Sequence, residues 1–300
     1  MSKVSQSEFP NFLCIGTQKA GITWLSANLA KHPDIWLPKR NELHFLDRKF
    51  PIDMLKTERH LALEAAKKGS KKSWQKKWEK LKKKYDWETL LWETRYRLAK
   101  GDESWYAGLF DNAQGRITGD LTPSYVLLGE EAIKYMHSHR PNTKIILLMR
   151  EPIDRAWSHA KMDIVTHAGR SIDAVSDEEF KAHFNLPSAI ARSDYVDIHK
   201  RWKSVFSEHQ VLCIYSDDIR EHPNEVMEVA YEFLGADKTF RVEGASKVVH
   251  GGTKSSLPEY YWPMLYEVYR PIIERQAEYF GGRAEQWYKK ITDLNGQINS

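Results

Sequence analysis

Wholly apolar runs alternate along this chain with stretches whose apolar residues recur every three or four positions, the pattern of strands followed by helices. Phe12, Leu13, Cys14 and Ile15 form the first run, which breaks at Gly16. Leu25 and Leu29 then stand four apart, predicting a helix over residues 22–31 that His32 and Pro33 stop. A short strand is expected at 34–37, a longer one within 115–125 that Pro123 ends, and a helix over 130–138. Residues 144–149, Lys-Ile-Ile-Leu-Leu-Met, are nearly continuous apolar sequence of the kind found in central parallel strands. Beyond them the pattern predicts a helix through Arg155, Trp157, Ser158 and His159, then one over 189–206 with Tyr195, Ile198, Trp202 and Phe206 on a single face. A strand at 210–215, a helix over 223–234 closed by Gly235 and a last helix over 258–280 complete the chain. Strands alternating with helices give an α/β fold with a central parallel sheet flanked by helices.

The stretch 50–110 departs from this pattern. Trp74, Trp78, Leu81 and Tyr85 recur as one stripe of a helix whose other faces carry most of the lysines. It reads as a helical, lysine- and tryptophan-rich insertion within a single domain of 1–300, because it lacks the Gly/Ser-rich linkers of a separate module. The formal charge of +4 is mild, but its concentration between Lys67 and Lys84 suggests an anionic partner. No apolar run approaches the ~18 residues of a membrane span. Residues 1–10 form a polar tail without the apolar core of a signal peptide, so secretion is not expected. Cys14 and Cys213 both lie in apolar runs, as expected for buried, reduced thiols in a cytoplasmic protein.

A glycine turn between a buried strand and a helix aims backbone N–H groups and the positive end of the helix at one spot. Residues 16–24, Gly-Thr-Gln-Lys-Ala-Gly-Ile-Thr-Trp, therefore read as a P-loop-like phosphate cradle. Against the Walker pattern G-x-x-x-x-G-K-[ST], Gly16, Gly21 and Thr23 are in place, but Ile22 fills the lysine position and the positive charge sits at Lys19. This argues against a nucleoside triphosphatase and leaves room for another phosphorylated nucleotide. Arg150 ends a central strand, where ligands of open α/β sheets bind and where a Walker-type enzyme commonly has an aspartate for Mg²⁺. An arginine there implies a second anion and no metal. In 41–47, Glu42 and His44 would share one side of an extended segment, opposite Asn41, Leu43 and Phe45. Residues 250–256, His-Gly-Gly-Thr-Lys-Ser-Ser, form a basic loop able to lay amides on a phosphate.

Taken together, these motifs resemble the sulfotransferases that use 3′-phosphoadenosine 5′-phosphosulfate (PAPS), in the pattern of the heparan-sulfate-type and related bacterial members. The likeness runs from about residue 11 to about residue 287 and is weakest in the lysine-rich region. It implies that Gln18, Lys19, Ala20, Gly21, Ile22, Thr23 and Trp24 hold the 5′-phosphosulfate, with Lys19 at the sulfonate and bridging oxygen. Residues 149–158 are similar to the family's 3′-phosphate motif, in which Arg150 and Ser158 would bind that phosphate. Residues 41–47 are similar to the segment that carries the glutamate base. The resemblance thus implies Glu42, Lys19 and His44 as catalytic residues, His44 either bonding near the sulfonate or orienting Glu42. Gly251, Gly252 and Lys254 are similar in position to a late loop that closes over the nucleotide, and His250 is a competing base. One departure stands out: heparan-sulfate enzymes usually show Glu-Lys-Thr-Pro where this chain has Asp120, Leu121, Thr122 and Pro123. A lysine often placed near their reaction centre is thereby lost, and its role must be absent or filled by another cation.

The implied reaction moves a sulfonate group from PAPS to an acceptor hydroxyl or amine without a metal, leaving adenosine 3′,5′-bisphosphate. The insertion would lie near the acceptor, which could be a saccharide stacking on aromatic faces or an acidic carrier protein presenting an alcohol. No nucleic-acid partner is expected. Two other classes remain at this point: a P-loop small-molecule kinase, opposed by Ile22 and Arg150, and a non-catalytic binder of anionic polymers.

Overall fold

The computed structural model describes residues 8–67, 87–98, 101–242, 244 and 256–298. The stripe from Trp74 to Tyr85 and the loop positions His250, Gly251, Gly252 and Lys254 lie outside the described residues. The chain divides into two compact units, one drawn from 1–51, 84–149 and 201–250, the other from 52–83, 150–200 and 251–300.

The first unit holds a five-stranded, wholly parallel sheet. Its strands are β1 (Phe12–Gly16), β2 (Ile35–Trp36), β3 (Ile117–Leu121), β4 (Lys144–Met149) and β5 (Val211–Tyr215), in the order β2-β3-β1-β4-β5. β1 pairs β3 with Cys14 opposite Leu121, and pairs β4 with Cys14 opposite Ile146. The chain leaves β1 toward β2 on one side and later returns to β4 on the other, which makes the carboxyl end of β1 the switch point of the sheet. β1 and the last five residues of β4 are buried throughout, as their uninterrupted apolar sequence requires of strands covered on both faces.

Helices α1 (Ile22–Leu29), α11 (Ser216–Glu221) and α12 (Pro223–Leu234) belong to this unit. Trp24, Leu25 and Leu29 of α1 join Val226, Met227, Ala230, Tyr231 and Leu234 of α12 over Phe12, Cys14, Ile146 and Leu148 in one apolar core. This is the layer of helix on sheet that hides the apolar face of each. The unit also contains the one-turn helix α2 (Leu46–Lys49), α4 (Trp87–Leu98), α5 (Glu103–Gly108) and α6 (Glu130–His139). The second unit is helical, with α3 (Met54–Lys67), α7 (Pro152–Ala160), a π turn (Lys161–His167), α8 (Asp177–Phe184), α9 (Pro187–Ala191), α13 (Trp262–Phe280) and α14 (Gly282–Ile298). The lysine- and tryptophan-rich stretch is helical where it is described, in α3, α4 and α5. No helix among the described residues is long and apolar enough to cross a membrane.

Two departures from the apolar pattern are instructive. The helix expected over 189–206 is two helices, α9 and α10 (Tyr195–Lys203). Its four apolar residues are all buried as expected, but the Asp194 carboxylate accepts the Asp197 amide and starts a new helix. Likewise the chain does not end its helices at Phe280, because Gly281 breaks α13 and α14 then buries Ala284, Trp287 and Ile291.

Close packing at the β1–β3 pair yields a prediction. Gly119 lies opposite Phe12, and a Cβ built there would stand 2.1 Å from the fully buried Phe12 ring. Gly119→Ala should therefore cost about 1–3 kcal/mol by overpacking, seen as a lower urea midpoint, and part of the loss should return when Phe12→Leu is added. A single variant as stable as the parent would contradict this packing.

Candidate active site

The cradle forms at the switch point. Past β1, the Thr17 amide and hydroxyl both donate to the Leu148 carbonyl of β4, at 2.8 and 3.1 Å, so the loop is pinned to the neighbouring strand. Gly16 has φ +137°, and a Cβ on it would lie 2.8 Å from the Pro123 carbonyl oxygen. Gly21, at φ +115°, precedes α1 in a conformation that an L side chain rarely adopts. Between them Lys19 takes the left-handed conformation, φ 72°.

The Leu25 amide closes the first i→i−4 bond of α1, on Gly21 at 3.0 Å, so the preceding amides belong to the open first turn. That turn has neither an acidic residue nor a side-chain cap, and the helix dipole there is left for an outside anion. Gln18 adds an Oε1 that is buried with no hydrogen-bond partner among the described residues. Ala20, Ile22 and Trp24 are buried in the apolar core, whereas Thr23 is exposed on the first turn. An anionic phosphate-type group fits the glycine turn and the uncapped helix end, to which the Gln18 Oε1, an acceptor, adds nothing.

The segment 41–47 is held over the end of β3. The Glu42 amide donates to the Leu121 carbonyl at 3.1 Å, and the Phe45 amide to the Tyr125 hydroxyl at 3.1 Å. Tyr125 in turn donates to Asp120 Oδ2 at 2.8 Å, as does Tyr106 at 2.8 Å, and Thr122 donates to Oδ1 at 2.6 Å. Asp120 is 1% exposed, and burial raises its pKa against the pull of these three hydroxyls. Leu43 and Phe45 are buried while Glu42 is exposed and His44 half-buried, as expected, but Asn41, expected on the side of Leu43 and Phe45, is exposed and accepts the Ser26 hydroxyl at 2.9 Å. The backbone is nevertheless not a plain strand, since Glu42 and His44 both have positive φ, 65° and 56°.

These turns bring four polar side chains into one line. His44 Nε2 lies 3.4 Å from Glu42 Oε2, and His44 Nδ1 lies 2.8 Å from Asp47 Oδ2, which also accepts the Ser124 hydroxyl at 2.8 Å. The hydrogen bond to Asp47, followed by that to Glu42, raises the His44 pKa from 6.5 to about 9, so His44 is an imidazolium at neutral pH. Asp47 is buried and would be pushed up by that burial, but His44 and Ser124 bring it below its usual value. Asp47 and Ser124 were not singled out by the sequence, although the three-residue step from His44 to Asp47 is a signal for a contact within one helical turn. Leu121, at the position of the missing lysine, is 2% exposed and part of the apolar core.

Arg150 and Ser158 lie in the second unit. Arg150 is fixed through its backbone: its amide donates to the Tyr195 hydroxyl at 3.2 Å, and that hydroxyl donates to the Arg150 carbonyl at 2.7 Å. The N-terminus of α7 is capped from within, as Glu151 accepts the Ile153 and Asp154 amides at 2.9 and 2.8 Å. Any anion at this motif would thus rely on side chains such as Arg150 and not on the helix end. Ser158 is partly exposed on the same helix, and Arg155, fully buried, bonds Ser193 Oγ at 2.7 Å and the Ala189 carbonyl at 2.6 Å.

With this geometry in place, comparison with known proteins is informative. Heparan sulfate glucosamine 3-O-sulfotransferase 6 of Mus musculus is 28% identical over 151 residues, covering 50% of this chain and 29% of that protein. Carbohydrate sulfotransferase 15 of Homo sapiens is 21% identical over 324 residues, covering 93% of this chain and 54% of that protein. The chain therefore spans about half or less of the length of these relatives. The crystal structure of a sulfotransferase from Alicyclobacillus acidocaldarius shares the fold, with a TM-score of 0.63 at 22% identity and coverage of 93% of this chain and 98% of that one. Residues 10–239, from β1 through the glycine loop, the Glu42–Asp47 segment and α12, match the Sulfotransferase family over most of the chain, and the protein belongs to that family.

Proposed function

We propose that this chain transfers the sulfonate group of PAPS to an acceptor hydroxyl, with Glu42 as the general base. The observation that carries the proposal is the line Glu42–His44–Asp47–Ser124 in the same unit as an uncapped helix N-terminus that follows a glycine turn. Glu42 would accept the acceptor proton as the acceptor oxygen attacks sulfur and the bond from sulfur to the bridging oxygen breaks. Lys19 and the amides at the start of α1 would neutralise the charge that gathers on the departing phosphate. His44, charged and braced by Asp47, would orient Glu42, the second of the two roles open to it from the sequence.

Arg150 and Ser158 are assigned to the 3′-phosphate through their likeness to the family motif, and an arginine suits a dianionic phosphate by its fork of donors. A saccharide alcohol is the acceptor class that the names of the two relatives favour, since both act on sugar chains by those names. The missing lysine at Leu121 separates this site from the heparan-sulfate pattern, and an alcohol on an acidic carrier protein stays within the proposal.

Three measurements check it. Glu42→Gln should lower turnover by roughly a hundredfold or more while PAPS affinity stays near that of the parent, and near-normal turnover would remove Glu42 as base. Arg150→Ala should weaken binding of adenosine 3′,5′-bisphosphate by about ten- to a hundredfold in calorimetry; unchanged affinity would refute the 3′-phosphate assignment.

The third concerns pH. Because the folded-state pKa of His44 is raised, its stabilising contribution is fully present below about pH 6.5 and lost as pH rises through about 9. The difference in melting temperature between the parent and His44→Gln should accordingly be largest near the lower of these values and close above the higher one. A difference that does not vary over this window would show that His44 is not held as an imidazolium.

A further inference from the structure

The second unit contains a buried cluster that the sulfonate-transfer proposal does not use. His159 stands on the last turn of α7, Asp163 on the π turn that follows, and His183 on α8. Side-chain exposures are 0%, 10% and 2%. The two Nε2 atoms converge on one carboxylate oxygen: His159 Nε2 is 3.2 Å and His183 Nε2 3.0 Å from Asp163 Oδ2, and one ligand atom from each of the three residues lies within 4.8 Å of the others.

Hydrogen bonding alone leaves this arrangement incomplete. His183 Nε2 bonds Asp163 Oδ2, but His159, although aimed at the same oxygen, has no hydrogen-bond partner on either ring nitrogen among the described residues. A fully buried imidazole left so is costly, and each such group calls for an explanation. An ion between the three residues supplies one. Tetrahedral zinc with bonds of about 2.0–2.1 Å places its ligand atoms about 3.3 Å apart, close to the two separations found here.

We infer that His159 Nε2, His183 Nε2 and Asp163 Oδ2 form a site for one divalent first-row transition-metal ion, which ties the end of α7 and its π turn to α8. Two imidazoles and one carboxylate are a donor set for such ions and not for Ca²⁺ or Mg²⁺, which take oxygen ligands. Glu58 of α3 borders the fourth side, its Oε1 3.8 Å from His159 Nε2. Arg192 pairs with both oxygens of Glu58 and neutralises it, which leaves Asp163 as the anionic ligand and the fourth position to water or Glu58. Burial, helped by the cations of Arg192 and Arg155 against the pull of Asp163, keeps the His159 imidazole neutral, the form that ligates. The π turn also fits, because such wide turns recur where a helix carries a site. The ion would act on the fold and take no part in sulfonate transfer, so the inference stands apart from the PAPS assignment.

The test uses the full chain expressed without a histidine tag, stripped with a chelator and titrated with Zn²⁺ alone. Expected are close to one equivalent of tightly held Zn²⁺ per chain by elemental analysis, and a melting temperature raised by about 5 °C at a hundredfold excess over the dissociation constant. Both effects should vanish in His159→Ala/His183→Ala. Both should persist in His167→Ala, whose exposed ring lies 3.7 Å from the other Asp163 oxygen. If the double variant does not fold, Asp163→Asn and the parent's stoichiometry decide. A parent chain that takes up no Zn²⁺, or one whose thermal response is matched by the variant lacking these ligands, would overturn the site.

Discussion

The order of the site in the first unit depends on one buried carboxylate. Asp120 sits at the end of β3 with three hydroxyl donors around it, and a charge in that position would be prohibitively costly without them. Having satisfied Asp120, Tyr125 offers its oxygen as acceptor to the Phe45 amide, and so adds to the bond from the Glu42 amide to Leu121 in fixing this segment. From Phe45 the constraint passes along the backbone to His44 and Asp47, and from His44 to Glu42. A network of this kind either holds as a whole or fails as a whole, because every member left unpaired carries its own desolvation cost.

The glycine loop is fixed by different means. Thr17 bonds β4 twice through Leu148, and the close approach of Pro123 excludes any side chain at residue 16. Pro123 directly follows the Asp120–Thr122 pair, so the stretch that packs on the loop is also the stretch that bears the carboxylate network. Through the carboxyl end of β3, the loop and the Glu42 segment are coupled by rigid packing within one unit.

β1, β4 and β5 were legible because each is a short, almost uninterrupted apolar run, and in β1 and β4 burial on both faces leaves no other use for such a run, whereas β3, Ile-Thr-Gly-Asp-Leu, carries no such signal. Glu42 and His44 were legible as a pair through their alternation, and the structure brings them within 3.4 Å. What the pattern could not convey was long-range polar chemistry. Asp120 with Tyr106 and Tyr125, or His159 with His183, are close only because the fold makes them so, and nothing periodic marks them. The break at Ser193 and Asp194 was hidden for a related reason: apolar spacing runs on through it, and a single carboxylate acting as cap overrides that spacing.

Leu121 shows how a lost charge alters the chemistry proposed for this site. A lysine there would supply a cation at any physiological pH, but the buried Leu121 supplies none. The imidazolium of His44 provides positive charge 3.4 Å from Glu42 instead, and Asp47, followed by Glu42, raises its pKa to about 9. On the proposed chemistry one imidazolium orients the base, at the cost of a dependence on pH that a lysine would not introduce. In the proposed transfer, the acceptor oxygen becomes more acidic as its bond to sulfur forms, and Glu42 receives the proton late in that step.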